Sequence, residues 1–154
     1  AGTGPGVTRP MLARVLETEV MDTPDEARDY DRMDHSAVNR AFAADLVSVW
    51  PNPAGTALDV GTGTALIPVE LCRRFPNLFV VAVDAAAHML ALARENVAAA
   101  GLTDRVRLEL VDAKRLPYPD GAFPAVVSNS IVHHIPEPVA VLAEMVRVCA
   151  PGGV

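Results

Sequence analysis

The sequence has 154 residues, enough for one domain that buries roughly two-thirds of the surface its unfolded chain would expose. It is 51% hydrophobic and 21% charged, and the absence of any apolar run near the ~20 residues that cross a bilayer argues against a membrane partner. The net charge of −6 argues against nucleic acid as a partner, because phosphate neutralisation requires a clustered excess of Lys and Arg.

The first fifty residues carry helical patterns and no strand pattern. The run from Thr23 to Glu26 has a capping residue, a proline at the first helical position and a carboxylate three residues after the cap, which predicts a helix start. A second helix is predicted from Ser36 to Trp50, and Pro51 ends it. Its apolar stripe consists of Val38, Phe42, Leu46, Val49 and Trp50. Residues 1–55 are therefore interpreted as an N-terminal helical segment.

From residue 56 onward, short apolar runs alternate with helical patterns. The predicted strands are 57–60, 78–83, 106–111 and 124–129, and the predicted helices are 65–75, 86–100 and 139–149. Gly101 is the expected C′ residue of the middle helix. Repeated βαβ units form a parallel sheet with helices on both faces. Residues 56–154 are therefore predicted to form one α/β domain, a doubly wound, Rossmann-like parallel sheet.

The two cysteines, Cys72 and Cys149, lack the paired spacing of a zinc site or a disulfide framework. Both lie in apolar helical patterns, so we expect two buried thiols. The opening residues also lack the charged and apolar regions of a signal peptide. These features predict a cytoplasmic protein.

The stretch "DVGTGT" at residues 59–64 joins the first strand to the next helix. In a doubly wound sheet, ligands bind beyond the carboxyl ends of the strands, where the winding reverses, and this loop lies there. Gly61 and Gly63 would let a ligand approach the backbone. The alternative is that the two glycines only form a tight turn between strand and helix.

Two carboxylates follow the next strands. Asp84, about twenty residues beyond the glycines, is placed to accept hydrogen bonds from the hydroxyls of a ribose. Its alternative role is that of an acid at a helix N-terminus, and both roles can hold at once. Asp112 could accept from an exocyclic amino group and so select adenine, although Asp is also common in turns.

The form of the glycine loop narrows the ligand. A dinucleotide-binding loop reads G-x-G-x-x-G, but here the third glycine position is Leu66. The phosphate-cradling loop GxxxxGK[ST] is also missing, because no Lys follows. The pattern therefore favours an adenosine without a pyrophosphate and disfavours a nicotinamide-dependent oxidoreductase.

Five stretches in this order resemble the class I S-adenosylmethionine-dependent methyltransferases, of the small-molecule type. They are "LDVGTGTA" (58–65), the strand-end Asp84, "VDAKRLPYPDGAF" (111–123), "VVSNSIVHHI" (126–135) and "EMVRVCAPGGV" (144–154). The resemblance implies a methyltransferase that uses S-adenosyl-L-methionine and moves its methyl group to an acceptor, for which the acidic charge favours a small molecule. Ala65 departs from the pattern, because many members have a third glycine there; we expect the small side chain to be tolerated.

The resemblance also implies roles for individual residues. Gly61 and Gly63 would contact the methionyl and ribose portions, Asp59 the amino-acid end, and Asn129 the reacting end of the pocket. Met89 would pack on the adenine, or would be an ordinary core methionine. The complete implied cofactor site is Asp59, Gly61, Thr62, Gly63, Asp84, Ala85, Met89, Asp112, Ala113 and Asn129.

The sulfonium of S-adenosylmethionine already activates the methyl group, so neither a catalytic base nor a metal is obligatory. His133 or His134 is a candidate base, or a residue that lines the pocket. The helical N-terminal segment is interpreted as a lid over the acceptor, or as a helical layer with solvent-facing polar residues. The lid candidates are Tyr30, Asp31, Met33 and His35.

Members of this family have seven strands in the order 3-2-1-4-5-7-6, whereas this sequence ends where a fifth strand is expected. The resemblance therefore implies a sheet of order 3-2-1-4 that lacks strands 5 to 7. An apolar fourth strand would then form an unprotected edge. Either the sequence is a fragment of a longer protein, which could bind the cofactor without turnover, or a second copy covers the edge, and we expect a homodimer through it. The alternative function is a non-catalytic module that binds S-adenosylmethionine or a nucleotide.

Overall fold

A computed structural model describes residues 23–25, 35–129 and 137–154. Pro24 and Asp25 are helical, as the capping pattern predicts, and Glu26 lies outside the described residues. The helices are α1 (Ser36–Val49), α2 (Leu66–Arg74), α3 (Ala87–Ala99) and α4 (Pro138–Val148). The strands are β1 (Gly55–Val60), β2 (Leu78–Asp84), β3 (Val106–Leu110) and β4 (Val126–Val127). Gly101 has φ +70° just beyond α3, which confirms it as the C′ residue.

The four strands form one parallel sheet in the order β3-β2-β1-β4, which confirms the predicted topology. The central pair runs in register from Gly55 opposite Leu78 to Val60 opposite Val83. Apart from Asp59 and the strand ends, both strands carry apolar side chains on both faces, as expected for parallel strands covered by helices on each side. The carboxyl ends of β1 and β2 therefore lie side by side at one edge of the sheet.

The side chains of the strands alternate between two cores. Ala57, Val80 and Ala82 face the core shared with α1, α2 and α3. Leu58, Val60 and Val83 face a second core, which contains Val141 and Val148 of α4. Each core is closed by helices on its own face of the sheet.

Helix α1 joins the first core through fewer residues than its sequence stripe predicts. Ala43 and Leu46 are buried against the rest of this core, and Phe42 and Trp50 are partly buried beside it. Val38 and Val49 are exposed, contrary to the predicted stripe. The small side chain of Ala43 lies on the packed line of α1, so only a narrow face of the helix is covered.

Strand β4 differs from its prediction in length. The sequence predicts a strand over 124–129, but only Val126 and Val127 pair with β1, at Leu58 and Asp59. Pro124 lacks an N–H group, and Ser128 donates its side-chain hydroxyl to the carbonyl of Val60 at 2.8 Å instead of extending the ladder.

The outer edge of β4 is not wholly unprotected, so that expectation is wrong for its first residues. The Val126 N–H donates to the carbonyl of Val154 at 2.8 Å, and the Val154 N–H donates to the carbonyl of Pro124 at 3.2 Å. The chain turns back through Gly152, which has φ +76°. A Cβ on Gly153 would lie 2.7 Å from the carbonyl oxygen of Pro124, so only glycine permits this close return.

Both cysteines are free thiols, but only Cys72 is buried as predicted. Cys149 is half-buried, because it lies where α4 ends and the chain turns toward β4. No helix in the described ranges is long and apolar enough to cross a membrane.

Candidate functional site

The loop after β1 is fixed to the neighbouring strand at the carboxyl edge of the sheet. The N–H groups of Gly61 and Thr62 both donate to the carbonyl of Val83, each at 2.9 Å. Residues 61–65 therefore leave β1 directly beside the tip of β2 and turn into α2.

This turn uses left-handed backbone conformations at alternate positions. Gly61 has φ +73°, Gly63 has φ +60° and Ala65 has φ +64°. Glycine adopts such angles without cost, whereas an L-residue with a Cβ does not. Many of the methyltransferases that the sequence resembles have a third glycine at this position. The left-handed backbone at position 65 gives that preference a conformational reason, in addition to the small size of the residue.

Asp84, at the end of β2, connects this loop to the start of α3. Its Oδ2 accepts a hydrogen bond from the Gly63 N–H at 2.8 Å, and its Oδ1 accepts one from the Ala86 N–H at 2.8 Å. A carboxylate offers about four acceptor positions, so holding the loop is compatible with accepting from a ribose. Asp84 and Gly63, each predicted separately as a cofactor-binding residue, therefore lie in direct contact.

The carboxyl group of Asp59, the last but one residue of β1, lies in surroundings that disfavour its negative charge. The residue is 2% exposed, and burial together with the nearby Asp84 carboxylate raises the pKa of Asp59 to about 7. The neighbouring Thr62 side chain opposes this shift and lowers the pKa of Asp59, but burial outweighs it. The Asp59 carboxyl is thus poised to ionise near neutral pH when a cation approaches.

Two hydroxyl groups of the loop, those of Thr62 and Thr64, are buried without a hydrogen bond in the described part of the chain. Buried hydroxyls are normally satisfied, so these two indicate a site that a polar ligand or an ordered water completes. The loop therefore fits a ligand with an amino-acid tail: acceptors at Asp59 and Asp84, and hydroxyl groups between them.

A cleft opens at this loop and extends toward the first turn of α1. It brings together four of the predicted residues, namely Asp59, Gly61, Thr62 and Asn129. The other residues that line it are His35, Val38, Asn39, Thr64, Leu66 and Ile67. His35 thus lies at the cleft, as its interpretation as a lid residue requires, whereas Tyr30, Asp31, Met33, His133 and His134 are outside the described residues.

Several lining residues were missed by the sequence analysis. Thr64, Leu66 and Ile67 follow the glycine motif directly, so a wider window around the motif could have included them. Asn39 and Val38 had no such signal, because their place at the cleft depends on how α1 packs against α2.

The predicted adenine-end residues lie on neighbouring segments and do not line this cleft. Met89 is 2% exposed and packs with Ala86 and Leu92, so it has the environment of a core methionine. Ala85 is exposed and Ala113 is buried.

Asp112 lies on the segment that leaves β3 beside β2. The preceding Val111 N–H donates to the carbonyl of Asp84 at 3.0 Å. The Oδ1 of Asp112 accepts from the Lys114 N–H at 2.9 Å, and its side chain is 63% exposed. It therefore forms the turn that the alternative interpretation describes, with its carboxylate at the surface close in sequence to the β2 tip.

The sequence profile of the methyltransferase domain family matches residues 57–153. A demethylmenaquinone methyltransferase of Deinococcus radiodurans is 40% identical over 114 residues, which are 74% of this chain and 45% of that protein. A phosphatidylethanolamine N-methyltransferase of Cereibacter sphaeroides is 41% identical over 100 residues, 64% of this chain and 47% of that protein. The chain thus spans about half the length of these curated relatives.

A solved structure shares the fold. A protein of Methanococcus maripaludis, assigned as an S-adenosyl-L-methionine-dependent methyltransferase, superimposes with a TM-score of 0.81 at 22% identity. The match covers 92% of this chain and 65% of that one. The profile, the relatives and the sheet order agree, and the chain belongs to the class I S-adenosyl-L-methionine-dependent methyltransferase family.

Proposed function

We propose that the protein transfers a methyl group from S-adenosyl-L-methionine to a small apolar acceptor. The observation that carries the proposal is the contact between Gly63 and Asp84, which joins the glycine loop to the strand-end carboxylate at 2.8 Å. This contact builds a hydroxyl-binding corner at the reversal point of the sheet, where open α/β folds bind their ligands.

The remaining parts of the cofactor are assigned to the residues around this corner. Asp84 accepts from the ribose hydroxyls, and Asp59 faces the ammonium of the methionyl tail, with Thr62 between them. Asp112 takes the adenine amino group, with Ala113 beside it, and Met89 packs below. Ala85 contributes its backbone next to Asp84, and Asn129 faces the reacting end.

The cofactor supplies a methyl group on a sulfonium. The nucleophilic atom of the acceptor would take this methyl group while the electron pair of the broken sulfur–carbon bond stays on sulfur, which leaves S-adenosylhomocysteine, and the proton lost by the acceptor would pass to solvent. The protein aligns the two reactants in line and excludes water, for which general base catalysis is not needed when the acceptor is already nucleophilic.

Three of the residues that line the cleft are apolar, among neighbours that expose mostly polar surface. Val38, Leu66 and Ile67 present apolar side chains beside Asn129 and His35. The two curated relatives are named for demethylmenaquinone and phosphatidylethanolamine, both of which carry long hydrocarbon chains. We therefore propose a lipid-soluble small molecule, such as a demethylated quinone, as the acceptor at this cleft, and the described part of the N-terminal segment, from His35 onward, as its cover.

The location of the protein and its oligomeric state are also proposed. The free thiols of Cys72 and Cys149 support a location in the reducing cytoplasm. The proposed homodimer pairs along the outer edge of β4 beyond Val126. At Val126 itself, the edge is already bonded to Val154 of the same chain. Sedimentation equilibrium at increasing protein concentration tests the dimer, and a constant monomer mass would contradict it.

The proposed activity is tested by incubating the protein with methyl-labelled S-adenosylmethionine and either demethylmenaquinone or phosphatidylethanolamine in detergent. We expect label in the quinone, together with equimolar S-adenosylhomocysteine. Asp84→Asn should retain less than about a tenth of the rate, because a hydrogen bond to a charged group contributes about 1.5–3 kcal/mol. Tight binding of S-adenosylmethionine without label in any acceptor would instead support the binding module.

A further inference from the structure

Helix α4 holds residues 111–122, the segment between β3 and β4, through hydrogen bonds with its side chains. Leu116, in the middle of this segment, is 3% exposed, and both its backbone groups bond to side chains of this helix. The Leu116 N–H donates to Oε2 of Glu144 at 2.8 Å, and the Leu116 carbonyl accepts from Arg147 at 2.9 Å. These bonds fix a segment that pairs with no strand and therefore has no ladder of backbone hydrogen bonds to hold it.

Arg147 makes more contacts than an ion pair requires. Its guanidinium donates to both carboxylate oxygens of Glu144 at 2.9 Å, to the carbonyl of Tyr118 at 2.8 Å and to Oδ1 of Asp120 at 2.8 Å. Its side chain is 32% exposed and that of Glu144 is 21% exposed. The planar fork of Arg serves several acceptors at once, which a Lys ammonium does not reproduce.

The two ends of the segment are also fixed. At its start, the Val111 N–H donates to the carbonyl of Asp84 at 3.0 Å. At its end, the Gly121 N–H donates to the backbone carbonyl of Arg147 at 2.8 Å. Only residues 112–115 lie between the β2 tip and the Leu116 anchor, and they include Asp112 and Ala113.

We propose that Arg147 and Glu144 are positioning residues for adenine recognition: they hold Leu116 so that Asp112, four residues before it, presents its carboxylate to the exocyclic amino group. The inference rests on the proposed function, because it takes adenosine as the ligand. Neither side chain touches the cofactor; both act through the backbone of the segment that carries Asp112.

The electrostatics of the pair support a permanent anchor. Its hydrogen bonds with Arg147 and the Leu116 N–H lower the pKa of Glu144 to about 2. The carboxylates that face Arg147 are Glu144 of α4 and Asp120 of the segment, and the cation that faces Glu144 besides Arg147 is Arg115. The pair therefore stays ionised across the neutral range, and its effect should not titrate between pH 5 and 9.

The test compares the affinities of the full chain for S-adenosylhomocysteine and S-inosylhomocysteine, which carries an oxygen in place of the amino group. The wild type should prefer the adenosyl compound by roughly tenfold to a hundredfold, the value of one hydrogen bond to a charged group. Arg147→Gln should reduce this preference to the one measured for Asp112→Ala, a variant that lacks the proposed contact with the amino group. Affinity for the inosyl compound should change by less than about threefold, since other cofactor contacts remain.

Two further variants separate positioning from general damage. Glu144→Gln keeps an acceptor for the Leu116 N–H but loses the charge, so it should fold and show an intermediate preference. Arg74→Gln breaks an ion pair of the same type, Arg74 with Glu70 at 3.1 Å on α2, and should keep the wild-type preference. Amide hydrogen exchange at Leu116 should accelerate in the Arg147 and Glu144 variants alone.

The outcomes are distinguishable. A wild type that binds neither compound overturns the proposed function and this inference with it. A wild type that prefers the adenosyl compound, with Arg147→Gln and Glu144→Gln keeping that preference, overturns the inference alone. Loss of the preference in Arg147→Gln and a reduced preference in Glu144→Gln, at unchanged inosyl affinity, support it, since a merely structural role would weaken the binding of both ligands together.

Discussion

Asp59 combines a stability cost with a proposed role in binding. Its carboxyl group is almost completely buried, faces the cleft and has Asp84 as a charged neighbour. Such surroundings disfavour the ionised form, and a nearby cation favours it. Under the proposed function a cofactor ammonium would be that cation, so binding and ionisation of Asp59 are expected to be linked.

The linkage gives a signed prediction for Asp59→Asn. Because the folded-state pKa of Asp59 is raised from 3.8 to about 7, its favourable contribution is complete below about pH 4 and is lost as the pH rises through 7. The loss amounts to at most about 4 kcal/mol above pH 8. Asp59→Asn should therefore gain stability relative to the wild type as the pH rises from 4 to 8, while its affinity for S-adenosylhomocysteine falls at least about tenfold.

Urea denaturation at several pH values measures the stability of Asp59→Asn, and calorimetry measures its affinity for S-adenosylhomocysteine. Asp45→Asn, on the exposed face of α1, is the matched control and should track the wild type at every pH. A constant difference between Asp59→Asn and the wild type across this range would contradict the linkage.

Ala65 tests the backbone of the glycine loop. An L-residue in the left-handed region costs roughly 1–2 kcal/mol, which glycine avoids, whereas the lost buried methyl costs about 0.8 kcal/mol. Ala65→Gly should therefore leave the free energy of unfolding unchanged within about 1 kcal/mol. Ala93→Gly, at an equally buried alanine inside α3, should lose at least about 1 kcal/mol in the same urea titration. Equal losses in the two variants would show that φ at position 65 does not matter.

At the scale of elements, the sequence predicts best where one short run contains the whole signal. Leu78 to Val83 is apolar throughout, and the observed strand differs by one residue at its end. The predictions fail where distant residues decide: Pro124 to Asn129 reads as a full strand, but pairing stops at Val127. The return of Val154 to this edge depends on Gly152 and Gly153, whose turn has no signal at the strand itself.

Arg105 shows a connection between elements that no pattern predicts. It precedes β3, and its guanidinium donates to the backbone carbonyls of Cys72, Phe75 and Leu78. These carbonyls lie at and beyond the C-terminal end of α2, where helices leave acceptors unsatisfied. Arg105 therefore closes α2 and fixes the turn into β2.

Arg105→Gln should lower the free energy of unfolding by about 2–3 kcal/mol, because it strands several partly buried acceptors. Arg107→Gln, two residues on, removes an exposed pair with Glu109 and should change it by less than about 0.5 kcal/mol. Thermal or urea unfolding of both variants makes the comparison. A loss at Arg105 no larger than that at Arg107 would contradict the assigned role.

For the whole molecule, the sequence predicts the part of the site that follows from strand order. Gly63 and Asp84 meet because parallel β1 and β2 end at the same edge, and the order of elements already fixes that edge. His35 and Asn39 reach the cleft only because α1 packs on α2, a tertiary contact that local periodicity does not contain. The part of the cleft proposed for the acceptor is therefore harder to predict than the part proposed for the cofactor.

The central claim is that the crevice between the tips of β1 and β2 binds an adenosine with a methionyl tail. Calorimetric titration of the wild type with S-adenosylhomocysteine and with NAD tests it most directly, with Asp84→Asn and the exposed Asp104→Asn titrated alongside. The account predicts saturable binding of S-adenosylhomocysteine, NAD binding at least about a hundredfold weaker, and a loss of about tenfold or more in Asp84→Asn alone. Folded protein that binds NAD as tightly as S-adenosylhomocysteine, or binds neither, would contradict it.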